Sequence, residues 1–219
     1  MNRQEPRKFK SEYNNVLVFL GNFFSFVFHP LFITVYVAAF LIFIHPAEFA
    51  GAELLTKQLK LLLIFLFATV FPAFTVFLCW RLKLVRSLHM STTRERIIPY
   101  LLAMFFYFMI WFVFARSMFD NPPVILHLLL GSFFAICGGW MCNIFFKISM
   151  HAIAMGGLVT FAILFSFVDN YSSGLYLSIA VLIAGLVCTS RLIVSDHSNF
   201  EIYIGLLVGA LGEFIGWQF

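Results

Sequence analysis

Residues 58–80 read QLKLLLIFLFATVFPAFTVFLCW, an apolar run whose one charge, Lys60, stands near its start. A helix needs roughly 20 such residues to cross the hydrocarbon core of a bilayer, so this stretch reads as a spanning helix. Its apolar residues are continuous and do not alternate, which argues against a strand of a membrane barrel. Similar runs recur on both sides, at about 28–45, 97–118, 124–145, 149–168, 175–190 and 198–217. The segment from Val16 to Ile44 is too long for one upright span and too short for two, and His29-Pro30 divides it. An interfacial stretch at 14–27 followed by a first span is therefore expected, with proline in the first turn. The chain is read as an all-α polytopic transmembrane helical bundle of about seven membrane segments. Its division is a basic N-terminus and interfacial segment, 1–27, and a single transmembrane domain, 28–219.

Composition agrees. Of 219 residues, 62% are hydrophobic, 19% aromatic and 11% charged, with mean hydropathy +0.97 and 31 Phe. Soluble domains carry about a quarter charged residues. A soluble enzyme, a disordered chain and a nucleic-acid reader are excluded on this ground. The length leaves no room for an extramembrane domain. The polar first residues precede an apolar run without a small-residue cleavage site, so an uncleaved N-terminus is expected. Cys79, Cys137, Cys142 and Cys188 lie in apolar runs and form no C-x-x-C pair, so they read as small buried hydrophobes. Gly205, Gly209, Gly212 and Gly216 form a small-residue face suited to close helix packing.

Eleven of the 14 basic residues fall on one side of a seven-span bundle: Arg3, Arg7, Lys8, Lys10, Arg81, Lys83, Arg86, Arg94, Arg96, Lys147 and Arg191. Lys57, Lys60 and Arg116 fall on the other. The positive-inside rule makes the basic side cytoplasmic. The expected location is a bacterial inner membrane with the basic end facing the cytoplasm.

Ionisable groups at membrane depth are costly, and each is a functional candidate. Three clusters occur: Arg94-Glu95-Arg96-Ile97-Ile98-Pro99, Lys147-Ile148-Ser149-Met150-His151, and Ser190-Arg191 with His197 and Glu201. Span counting puts all three at the basic end. His197 and Glu201 are four apart, on one helical face, and a carboxylate beside an imidazole fixes its tautomer. Two histidines amid several guanidinium and ammonium groups suit a phosphoryl group. Arginine grips its oxygens, one histidine attacks phosphorus and the other protonates the leaving oxygen. No metal or other cofactor is called for, since neither H-E-x-x-H nor an acidic cluster is present.

The third cluster, Ser190-Arg191, five residues, His197, three residues, Glu201, resembles the third signature of the type 2 phosphatidic acid phosphatase superfamily. The first two clusters look like degenerate forms of its other signatures, K-x6-R-P and P-S-G-H. The resemblance covers roughly 94–205 and implies a six-helix phosphatase core. It implies that His197 is the nucleophile forming a phosphohistidine, that Glu201 orients it, and that His151 is the general acid. Arg191 and Arg96 would bind phosphate, aided by Ser149. Arg94, Lys147 and Ser190 complete the candidate phosphate set. The departures are Ile148 for Pro, Met150 for Gly, Glu201 for Asp, and Pro99 three residues beyond Arg96. At the spacing of the first motif's Lys stand His89, before Arg96, and Ser87, before Arg94.

The expected function is an integral membrane phosphatase acting on a lipid phosphate monoester or an isoprenyl diphosphate. Its expected partners are that lipid and the bilayer, without nucleic acid. The alternatives are a catalytically degenerate relative that binds phospholipid or a membrane partner, and a small transporter. His29, His45, His89 and His127 read as interfacial or capping groups. Asp196 reads as a cap of the last helix, and Glu213 as an interfacial residue at its far end.

Overall fold

The computed structural model describes residues 14–85, 92–116, 121–171, 173–194 and 197–219. Among them there is no strand. The helices are α1 (Asn15–Val27), α2 (Pro30–Ala39), α3 (Leu54–Phe65), α4 (Phe71–Arg81), α5 (Ile97–Arg116), α6 (Pro123–Phe145), α7 (Met150–Val168), α8 (Ser173–Val194) and α9 (Asn199–Gly216). The chain is an all-α helical bundle. Six helical segments are each long and apolar enough to cross a membrane, and α1 with α2 forms a bent pair that could be a seventh. This is an integral membrane architecture, and the outer faces carry the exposed Phe and Leu residues that contact with lipid requires.

Prolines shape the helices. His29 is extended (φ −64°, ψ 139°) because a following proline disfavours helical geometry, and Pro30 then starts α2. The bend between α1 and α2 is 59°. Pro72 has no N–H to give to the preceding turn, and the wide turn Leu66–Val70 joins α3 to α4 as one span. A second wide turn, Phe40–Ile44, extends α2 until His45, which is extended before Pro46.

The span readings at 58–80, 97–118, 124–145, 149–168 and 198–217 agree with the helices to within a few residues. The sixth differs. α8 continues to Val194, so Arg191 sits in its last turn and not beyond its end. A polar residue at the membrane surface leaves the hydrocarbon without breaking the helix. Arg86, Ser87 and His89, the basic residues before Tyr13, and Asp120 and Asp196 lie outside the described residues.

The glycine face of α9 packs inside the bundle and divides between two neighbours. A methyl group on Gly205 or Gly209 would collide with α7, at Ala152 and Ile153 respectively. One on Gly212 or Gly216 would collide with α6, at Ala135 and Gly131. Backbones this close leave no space for a side chain, which is the packing mode of small-residue faces in membranes. The four cysteines are free thiols.

α2 and its extension run parallel to α7. His29 meets His151 at one end (ring centroids 5.4 Å apart), and His45 meets Asp169 at the other. His45 therefore has a partner that its sequence context did not suggest. Its Nδ1 accepts from the backbone N–H groups of Ala47 and Glu48 (both 3.4 Å), so Nε2 carries the proton and donates to Asp169 Oδ1 at 3.1 Å. Both side chains are 1% exposed. His45→Ala strands a buried carboxylate and is expected to cost about 2 kcal/mol. Asp169→Asn keeps an acceptor and should cost less. Unfolding of the two variants in detergent, compared with the parent chain, checks the order.

Candidate active site

The site is at the end of the bundle where α5, α7 and α9 begin and α8 finishes. Each cluster is held there by local chemistry. Thr92 and Glu95 exchange backbone-to-side-chain hydrogen bonds (3.3 and 3.4 Å), which start the short helical turn Arg94–Arg96. Asn143 Nδ2 donates to the Thr93 carbonyl at 2.8 Å and ties that turn to α6. Arg96 is buried, and its Nη1 donates to the Ile148 carbonyl at 3.1 Å, joining the head of α5 to the chain entering α7. Ser149 caps α7 by accepting from Ala152 N–H.

The last helix begins with a capping box. Ser198 Oγ accepts from Glu201 N–H at 3.3 Å, and Glu201 Oε2 accepts from Ser198 N–H at 2.9 Å. Ser198 is thus the cap, the role expected of Asp196. The same Glu201 oxygen accepts from His197 Nδ1 at 3.0 Å. A proton held at Nδ1 leaves the lone pair at Nε2, the form a nucleophilic imidazole needs. His197 precedes α9 and is only 7% exposed in its side chain. Burial pushes its pKa below the ordinary histidine value. Glu201 pulls it up, while the charges of Arg191 and Lys147 push it down.

The remaining candidates gather around this pair. His151 feels the charges of Arg191, His29 and His197. Arg191 feels that of Arg96, and Arg96 that of Glu201. Arg96, Lys147, His151, Arg191, His197 and Glu201 thus form one electrostatic group drawn from α7, α8, α9 and the chain that leads into α5, α7 and α9. Three candidates point elsewhere. Arg94 is exposed on the starting turn of α5. Ser190 Oγ donates to Leu186 O at 2.7 Å, within its own helix. Ser149 Oγ is engaged with its own helix as the cap.

Two site members were not legible from spacing. His29 stands beside His151. Ser25 on α1 is engaged through both its oxygens. Its carbonyl accepts from His151 Nε2 at 3.0 Å, and its hydroxyl accepts from Arg191 Nη1 at 3.3 Å. α1 is held there because Gly21 lets it lie against Ser190 and Val194 of α8. One residue of α1 thus supplies an oxygen to a histidine and another to an arginine of the site. The available signal was Gly21, Asn22 and Ser25 in a segment that is otherwise apolar beyond its first turn.

Beneath the site, a cleft of about 450 Å³ lies between α2, α7 and α8. Phe28 lines it at the end nearer the site, and Ile44 and Tyr176 line it near the opposite end. Its walls are apolar, and on α7 and α8 its lining is confined to residues 158–165 and 176–183. No group of three or more potential metal ligands occurs among the described residues.

The class these features define is an integral membrane helical bundle with a polar, cation-rich site at one end. Comparison of the chain with protein-family models, curated proteins and solved structures finds no match.

Proposed function

We propose that the chain is an integral membrane lipid phosphatase of the type 2 phosphatidic acid phosphatase kind, working through a phosphohistidine. The observation that carries the reading is the His197–Glu201 pair, bonded at 3.0 Å with its Nε2 lone pair available, set among Arg96, Lys147 and Arg191. Arg191 and Arg96 bind the phosphate oxygens, and Lys147 supplies a further positive charge, as the first motif's missing Lys would. His197 Nε2 attacks the terminal phosphorus, and the P–O bond to the leaving group breaks, releasing the lipid alcohol from a monoester or the isoprenyl monophosphate from a diphosphate. His151 gives its proton to that leaving oxygen. Water then attacks the phosphohistidine, His151 takes a proton from it, and the N–P bond breaks to release inorganic phosphate. The substrate oxygens take the place of the Ser25 oxygens on His151 and Arg191. The cleft between α2, α7 and α8 takes the lipid tail. The substrate is a lipid phosphate monoester or isoprenyl diphosphate.

The concentration of basic residues at the site end supports a cytoplasmic site in a bacterial inner membrane. Labelling of a cysteine introduced near residue 10 in intact cells tests this, and reaction with an impermeant reagent would overturn it.

Attack requires a neutral Nε2, so activity falls on the acid side as His197 protonates. Burial places that fall below the ordinary histidine value of 6.5. Glu201 raises the His197 pKa, so Glu201→Gln should move the acid limb to lower pH and slow turnover by about a hundredfold. Phosphate release measured from pH 4 to pH 8 checks both the direction and the loss.

A second reading, phospholipid binding without turnover, is favoured by one observation: Ser25 holds His151 and Arg191 together. Phosphate release from a panel of lipid phosphates decides between them. Release supports the enzyme, and saturable binding without release supports the second reading.

A further inference from the structure

Glu213 was expected at the membrane surface, but it stands inside the bundle. It is 2% exposed. The offset of α9 explains this: Gly205 is level with Ser149, so the first turns of α9 project beyond the start of α7. Glu213 lies against Gly131, in the middle part of α6, and close to Gly157, in the middle part of α7. It is thus near mid-depth. A methyl group on Gly131 would overlap its carboxyl group, so the bundle leaves a slot for this side chain. Its Oε1 has no hydrogen-bond partner among the described residues.

The carboxyl group borders a cavity of about 90 Å³ between α2, α5, α6, α7 and α9. Four hydroxyl residues border the same cavity: Thr34, Ser132, Tyr107 and Tyr100. Thr34 Oγ1 is 3.1 Å from Ser132 Oγ and 3.4 Å from Tyr107 OH. The Tyr100 OH has no partner among the described residues. Among the described residues the rest of the lining is apolar and contains neither Lys, Arg nor His. A buried carboxylate requires a compensating positive charge or a proton. A proton alone would need neither the hydroxyls nor the chamber.

We infer that this cavity is a binding site for a small monovalent cation, held by the Glu213 carboxylate and the hydroxyls of Thr34, Ser132 and Tyr107. An all-oxygen donor set suits a hard ion and lacks the nitrogen or sulfur that transition metals prefer. A single carboxylate matches a single charge, where calcium-type sites gather several. The chamber also has room for a cation that keeps part of its hydration shell. The site is independent of the phosphatase reading, because it shares none of the proposed catalytic residues.

The test is thermal unfolding of the purified full chain in detergent at constant ionic strength, repeated at two pH values. The salts are sodium, potassium, ammonium or choline chloride, choline being a quaternary cation whose methyl groups hold its charge away from oxygen donors. Binding at tenfold excess over Kd should raise Tm by about 3 °C relative to choline. The first three arms identify which ion is preferred. Glu213→Gln should abolish the difference. Should that variant not fold, Ser132→Ala and Thr34→Val should each shift the half-saturating concentration upward by about tenfold. Equal Tm in all four salts would overturn the site. So would a salt response that survives in Glu213→Gln, or one unchanged in both hydroxyl variants. A Tm that follows pH but not the cation would also overturn it, leaving Glu213 as a proton site only.

Discussion

Phosphate release from a lipid phosphate is expected to fall by at least about a thousandfold in His197→Ala, while the protein remains folded. The size of the loss follows from the role proposed for this side chain. It supplies the electron pair that bonds to phosphorus, and among the described residues it is the histidine of this group that a carboxylate orients. Water would have to attack unaided. Folding should survive because His197 lies before α9, and Ser198 and Glu201 cap that helix without it. His151→Ala should be less severe, since a leaving oxygen can take a proton from water at a slower rate. Phosphate assays on both variants, with thermal unfolding as the control, measure the contrast. Equal, small effects in both would argue for the binding reading.

Gly209→Val is expected to destabilise the bundle more than any single polar change, by more than about 3 kcal/mol. A Cβ at Gly209 would overlap the Ile153 carbonyl and crowd the Gly157 N–H. Both are backbone atoms of α7, so no side chain can swing away. The reciprocal contact makes the strain worse, because Gly156 of α7 lies equally close to the backbone of Leu206. Relief requires α7 and α9 to separate, which would also draw His151 away from His197. The variant should therefore lose both stability and activity. Gly185→Ala, on α8, is the control, since a methyl group there would meet nothing within 4 Å. Detergent unfolding of the two variants reads the difference directly.

The spans could be read from sequence because a bilayer imposes one requirement on every segment that crosses it. Backbone polar groups must be satisfied internally, and about 20 apolar residues must run without interruption. Gln58–Trp80 carries that signal even through Pro72, whose effect is local. The His197–Glu201 contact was readable for a similar reason: four residues along a helix is a fixed distance. Ser25, His29 and Glu213 were not readable. Ser25 joins the site only because α1 folds back at His29-Pro30 and packs on α8. Glu213 was misplaced because residue counting along α9 says nothing of how far α9 is offset against α7. That offset is set by glycine contacts between helices. Ser190 illustrates the converse. Its spacing matched a motif, yet its hydroxyl bonds to the carbonyl four residues earlier, a local competitor that spacing does not reveal.

The most direct test of the central claim is to trap the covalent intermediate. The purified chain is mixed with a lipid monoester labelled at phosphorus, quenched with alkali to preserve phosphohistidine, and mapped by peptide. The account predicts label on His197 in the parent chain, more label in His151→Ala where breakdown is slowed, and none in His197→Ala. Turnover of the lipid with no label on His197, or with label on another residue, would contradict it.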